Sequence, residues 1–163
     1  MKLVQNLTVA MSAAVLLLSP VIGQAQTKVA KKWYLGHGKW EKKTDPEPVP
    51  DSIQKVTAEE LKAKLDKKAK FFLVDARNAE EYKESHIPKA VHIYDEEMEK
   101  IGKKKLPKDK GADLIFYCNG YPSCPRSLNG AKIAQEWGYT NVQIYLGGMP
   151  DWNSKGFPAE RSR

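Results

Sequence analysis

The amino-acid sequence predicts an α/β domain built on a central, mostly parallel sheet. Two apolar runs, Phe71-Phe72-Leu73-Val74 and Leu114-Ile115-Phe116-Tyr117, are short and β-branched or aromatic. That is the pattern of strands buried on both faces, and such strands belong to parallel sheets. Helix-start signals stand close to the first run, at Thr57-Ala58-Glu59-Glu60 before it and Asn78-Ala79-Glu80-Glu81 after it. The second run opens a strand–loop–helix passage, Asp113–Gly138, that carries both cysteines of the chain.

The elements follow in order. Met1–Ala25 reads as a cleavable export signal: Lys2 is a thin positive start, Val9–Leu18 is apolar, and Gly23-Gln24-Ala25 supplies small residues for cleavage. The apolar stretch is short for a membrane span and meets Pro20 at once, so removal is expected. Export places the mature chain in the periplasm, where disulfides persist. Residues 26–52 form an extension with Trp33 and Trp40, which are expected to dock on the domain, and a proline-rich linker, Asp45-Pro46-Glu47-Pro48-Val49-Pro50. His37 lies between glycines with no second ligand nearby, so no metal is assigned, and no cofactor is expected.

The domain itself is placed at 53–163. Thr57 to Glu60 is a capping box, stapled by Val56 and Leu61. Ala58, Leu61 and Leu65 make the apolar face of the helix that follows. Asp75 ends the next strand, and Asn78 caps a second short helix. Arg77 and Glu81 are expected to pair locally, Asp75 to cap a loop, and His86 to precede a turn at Ile87-Pro88. A third strand is expected at Ala90–Ile93 and a helix at Glu96–Gly102, with Lys103-Lys104-Lys105-Leu106-Pro107 as an exposed basic turn. A last strand is expected at Val142–Leu146, before a short helix that starts around Gly147-Gly148 and anchors on Trp152.

The formal charge of +7 rests on 27 Lys and Arg against 20 Asp and Glu. No basic-aromatic platform accompanies it, so nucleic-acid binding is excluded; a solvated lysine surface that mildly steers small anions is the reading adopted.

The candidate site is the loop between the central strand and its helix. Pro125 suits the first helical position, Gly130, Ile133, Ala134 and Trp137 recur at helical spacing, and Gly138 stops the helix. Such a passage aims backbone N–H groups and a helix N-terminus at one point, which favours an anion or a thiolate. Cys118 opens the loop and Cys124 lies near its end, with the forked cation of Arg126 beside them. Cys118 and Cys124 are the candidate catalytic residues; Asn119, Gly120, Tyr121, Ser123, Arg126 and Ser127 are the candidate substrate-binding residues. A pair of inert or disulfide-bonded cysteines is the plainer alternative.

These motifs resemble the rhodanese-like domain. Val74-Asp75-Ala76-Arg77, Glu81-Tyr82 and His86-Ile87-Pro88-Lys89-Ala90 are similar to its first half. Tyr117-Cys118, Arg126-Ser127, Leu146-Gly147-Gly148, Trp152 and Gly156-Phe157-Pro158 are similar to its second. The resemblance implies a three-layer domain with a central mostly parallel sheet flanked by helices. It also implies a sulfurtransferase whose loop-opening cysteine, Cys118, carries sulfane sulfur as a persulfide. Seven residues separate Cys118 from Arg126, more than in common single-domain sulfurtransferases or their phosphatase relatives. That spacing resembles a two-cysteine variety of exported bacterial proteins. The expected partners are a small anionic sulfur donor such as thiosulfate and a thiol or cyanide acceptor. If Cys124 resolves the persulfide to a disulfide, a periplasmic redox partner is expected as well. Two other readings stand beside this one: a thiol–disulfide redox or sulfur-binding module, and a silent fold that binds a partner.

Overall fold

The computed structural model describes residues 47–162. The export signal, Trp33, His37 and Trp40 lie outside the described residues. Five strands, β1 (Gln54–Val56), β2 (Phe72–Asp75), β3 (Val91–His92), β4 (Leu114–Tyr117) and β5 (Val142–Tyr145), form one sheet. Their order is β1-β5-β4-β2-β3, and every neighbouring pair is parallel. The expected fold class is therefore observed, with the apolar β4 in the middle and buried along its whole length. Sequence reading missed β1, a short edge strand with two of its three residues exposed, which carries no apolar run to mark it.

Alternation along β4 divides the core. Ile115 and Tyr117 join Leu61, Leu73, Tyr145, Met149 and Trp152 in one cluster. On the other face α3 (Arg126–Glu136) crosses so closely that a Cβ on Gly130 would lie 3.1 Å from the Phe116 ring. Helices α1 (Ala58–Asp66) and α2 (Ala79–Glu84) both begin with complete capping boxes, Thr57 with Glu60 and Asn78 with Glu81. Trp152, fully buried on α4 (Gly148–Ser154), meets the edges of Tyr145 and Phe157 and donates Nε1–H to the Pro158 carbonyl 2.8 Å away. Removing such an aromatic core side chain costs about 3–5 kcal/mol.

Two expectations need correction. Lys103–Lys105 is a helical turn, the end of a segment that runs through a 3-10 turn (Asp95–Glu97) and a π-turn (Met98–Gly102). Gly102 fits beneath Trp137, Leu106 donates to its carbonyl at 2.8 Å, and burial of Leu106 ties the segment down. Lys103, Lys104 and Lys105 face water, as expected. The second correction concerns Arg77, which pairs with Asp75 at 2.7 Å and not with Glu81. Asp75 also accepts from the Arg77 backbone, so it caps the turn as expected. Both side chains are buried, and a buried carboxylate holds the nearest guanidinium because a lone charge there is costly. No helix among the described residues is long and apolar enough to cross a membrane.

Candidate active site

Open parallel sheets place their sites beyond the carboxyl ends of central strands. Cys118 follows the last residue of β4 and is completely buried. The backbone there is fixed from two sides. Ala76 N–H donates to the Tyr117 carbonyl, and Met149 N–H donates to the Cys118 carbonyl, each at 2.9 Å. The second contact depends on glycine. Gly148 has φ of +62°, and a Cβ on it would collide with the Cys118 carbonyl oxygen and the Gly120 nitrogen. Glycine at 148 is what lets this backbone approach the cysteine loop so closely.

The loop from Asn119 to Pro125 then folds over the thiol. Gly120, at φ +98°, accepts from Cys124 N–H at 2.9 Å and from Ser123 Oγ at 3.0 Å. Tyr121 N–H donates to the Leu146 carbonyl at 2.9 Å, and the Tyr121–Pro122 peptide is cis. The Tyr121 hydroxyl donates to the Glu47 carbonyl, and Glu47 pairs with Lys132, so the proline-rich segment braces the loop tip. Cys124 is buried just ahead of α3. Pro125 sits at the N-cap with helical angles, one residue earlier than expected.

These contacts set the ionisation of the two thiols apart. Cys118 Sγ lies 3.1 Å from the Cys124 carbonyl oxygen and 3.2 Å from Ser127 Oγ. Protonated, it donates to that carbonyl. Ionised, it accepts from the Cys124 thiol, the Ser127 hydroxyl and the N–H groups of Ser127 and Gly120. One opposing carbonyl is outweighed by these donors. The hydrogen bond from Cys124 is the largest cause, and with burial working against it the Cys118 pKa falls to about 6. Cys124 moves the other way, because it donates that bond and is buried beside a thiolate. Both thiols face the start of α3, Cys118 towards Ser127 and Cys124 towards the Arg126 N–H, and both cysteines are free thiols in the structure.

Arg126 points to a different set of partners. Its Nη1 donates to Glu81 Oε2 at 2.8 Å, and its Nε lies 4.0 Å from Asp95 Oδ1. Its guanidinium stands 5.5 Å from the centre of the Tyr94 ring. The Asn119 side-chain amide donates to the other Glu81 oxygen. Burial opposes the charge on Glu81, but Asn119, the Asn78 N–H and Arg126 hold its carboxyl below the usual range. Burial pushes Asp95 up, against the pull of Asn129 and Arg126.

Of the residues expected at the site, Cys124, Gly120 and Ser127 meet the Cys118 thiol. Asn119 and Arg126 turn instead to Glu81, Tyr121 turns to Glu47, and Ser123 is exposed and turned back on its own loop. Sequence reading missed Glu81, Tyr94 and Asp95. Glu81 was legible in part: its helix starts just past the carboxyl end of β2, beside β4. Asp95 and Tyr94 lie in a 3-10 entry with no marking pattern. His86 is buried, with Nδ1 2.8 Å from the Tyr82 carbonyl, and serves the fold as expected. Among the described residues no cluster of side chains is suited to hold a metal ion.

Comparison with known proteins agrees with this geometry. Residues 57–155 match the family described as "Rhodanese-like domain". The chain is 34% identical over 106 residues to "Putative sulfurtransferase YtwF" of Bacillus subtilis, covering 65% of this chain and 96% of that one. It is 35% identical to the "Thiosulfate:glutathione sulfurtransferase" of Saccharomyces cerevisiae, over 64% of this chain and 81% of the relative. Among solved structures, the human single-domain sulfurtransferase TSTD1 superposes with a TM-score of 0.54 at 25% identity, over 63% of this chain and 97% of that one. A five-stranded parallel sheet, a cysteine after its central strand and these matches agree: the chain belongs to the rhodanese-like domain family.

Proposed function

We propose that the protein is an exported sulfurtransferase that moves sulfane sulfur through a persulfide on Cys118. The observation that carries this reading is the Cys118 thiol, held after the central strand among donors that lower its pKa to about 6. The Cys118 thiolate attacks the outer sulfur of a donor such as thiosulfate. The S–S bond of the donor breaks, sulfite leaves with the electron pair, and Cys118 becomes a persulfide. A thiolate or cyanide acceptor then attacks the terminal sulfur, giving a persulfide or thiocyanate and returning the Cys118 thiolate. Donors converging from Gly120 and Ser127, with Arg126 at the rim, favour the anionic species along this path. Relatives named as sulfurtransferases support the reaction class. The export signal read at Met1–Ala25 supports a periplasmic site of action.

The adjacent Cys124 thiol supports a second reading. Its thiolate attacks Cys118 Sγ of the persulfide, hydrosulfide leaves, and a Cys118–Cys124 disulfide forms. A dithiol partner must then supply two electrons. Assays of the purified mature chain with thiosulfate, and with cyanide or glutathione as acceptor, separate the two. Steady thiocyanate or persulfide production without reductant supports transfer. A single turnover that resumes only with a dithiol supports the redox cycle.

A further inference from the structure

Arg126 is the cation that opens the helix after the loop, and one arm of its fork is already engaged. Glu81 takes Nη1 at 2.8 Å, while Asn119, from the loop itself, holds the second Glu81 oxygen. Asp95 stands on the Nε side at 4.0 Å, with an Oδ1 that has no hydrogen-bond partner among the described residues. Two carboxylates thus face one guanidinium, and Glu81 holds Nη1, one of the donors that a planar or tetrahedral anion would take on it. The pair is only partly shielded, with Arg126 21% and Glu81 29% exposed along their side chains, so an incoming anion can reach it.

We propose that Glu81 is a built-in competitor for the donor's anionic end, and so sets the affinity of the site for anionic sulfur donors. The proposal rests on the sulfur-transfer reading above and names the seat that the donor takes. The sulfonate end of thiosulfate displaces the Glu81 carboxylate from Arg126. Asn119, bonded to Glu81, shifts with it, so donor arrival is coupled to movement at the residue after Cys118. When the product anion leaves, Glu81 returns, which keeps sulfite and abundant bystander anions from occupying the seat.

Glu81→Gln tests this because it removes the charge while keeping the side chain's shape. Its one amide oxygen can close the Asn78 capping box, and its NH2 can donate to Asn119 Oδ1 once that amide turns over. The expected result is a fall of about three- to fivefold in KM for thiosulfate, the scale of a partly exposed ion pair. The inhibition constant for sulfate falls in proportion, and kcat moves less. Binding of sulfite to the reduced protein, read by calorimetry without turnover, tightens by a similar factor. An unchanged or raised KM, together with unchanged or weaker sulfite binding, overturns the proposal and leaves Glu81 as a brace for Arg126. Tighter sulfite binding in a protein that transfers no sulfur keeps the anion seat and overturns the transfer reading.

Discussion

The Tyr117 hydroxyl donates to Asp75 Oδ2 at 2.6 Å, joining the ends of the two central strands beneath the active loop. The two residues are also register partners in the β2–β4 ladder. Arg77 completes the group from Nε and Nη2, and the Ile87 N–H donates to the Tyr117 oxygen at 3.0 Å. Burial comes first, with the neighbouring Asp75 charge, in raising the Tyr117 phenol well above its ordinary pKa, so it stays a neutral donor. The residue that precedes Cys118 is thereby fixed through its side chain as well as its backbone.

Asp75→Asn is expected to destabilise the domain by about 3–5 kcal/mol, because it leaves the Arg77 cation buried without its partner. Denaturant unfolding measures this. A loss below about 1 kcal/mol would be the scale of an exposed ion pair and would contradict a structural role for the buried group.

The thiolate of Cys118 has a pH signature. Its folded pKa of about 6 lies below the usual thiol value, so the folded chain binds fewer protons than the unfolded one between them. Stability from this group is fully present above about pH 8.5–9, where the unfolded thiol is also ionised, and is lost as pH falls through about 6. Ultraviolet absorbance of the thiolate is expected to rise through a midpoint near 6, and the rate of sulfur loading with it. In Cys124→Ala, which removes the largest cause of the shift, the midpoint is expected to move upward. A midpoint that stays put would assign the shift to Ser127 and the backbone donors instead.

Gly148→Ala tests the contact that locks the Cys118 carbonyl. A side chain there meets both a positive φ and the backbone of Cys118 and Gly120. A cost of about 1–3 kcal/mol is expected for a residue held in that region. The thiolate midpoint is expected to rise as well, because the loop donors are displaced. Calorimetric melting and the absorbance titration read the two effects separately.

Arg126→Lys keeps the charge but loses the planar fork. Thiosulfate turnover is expected to fall by the worth of a charged hydrogen bond, about 1.5–3 kcal/mol in kcat/KM. Kinetics equal to those of the unaltered chain would remove Arg126 from the anion seat.

Much of this arrangement was legible in the sequence. The two apolar runs marked β2 and β4, and their both-sided burial marked the sheet as parallel. Capping boxes located α1 and α2 because a helix start depends on residues adjacent in sequence. The strand–loop–helix passage located Cys118 for the same reason. Partners chosen across the fold were less legible. Arg77 had both Asp75 and Glu81 close in sequence, and burial decided for Asp75. Glu81 was then free to reach Arg126, 45 positions away, a contact set by the order of the strands. Lys103–Lys105 reads as a polar turn because nothing local shows that Leu106 and Gly102 are buried around it.

The most direct test of the central claim is mass spectrometry of the two single-cysteine variants after exposure to thiosulfate. Cys118 is the thiol whose ionisation the loop favours, and the neighbouring Cys118 thiolate and burial oppose ionisation of Cys124. Cys124→Ser is therefore expected to gain the mass of one sulfur atom on Cys118 and to keep it until an acceptor is added. Cys118→Ser is expected to gain nothing and to transfer no sulfur. An adduct found on Cys124 in the Cys118→Ser variant, with none on Cys118 in its counterpart, would contradict the assignment of Cys118 as the sulfur carrier.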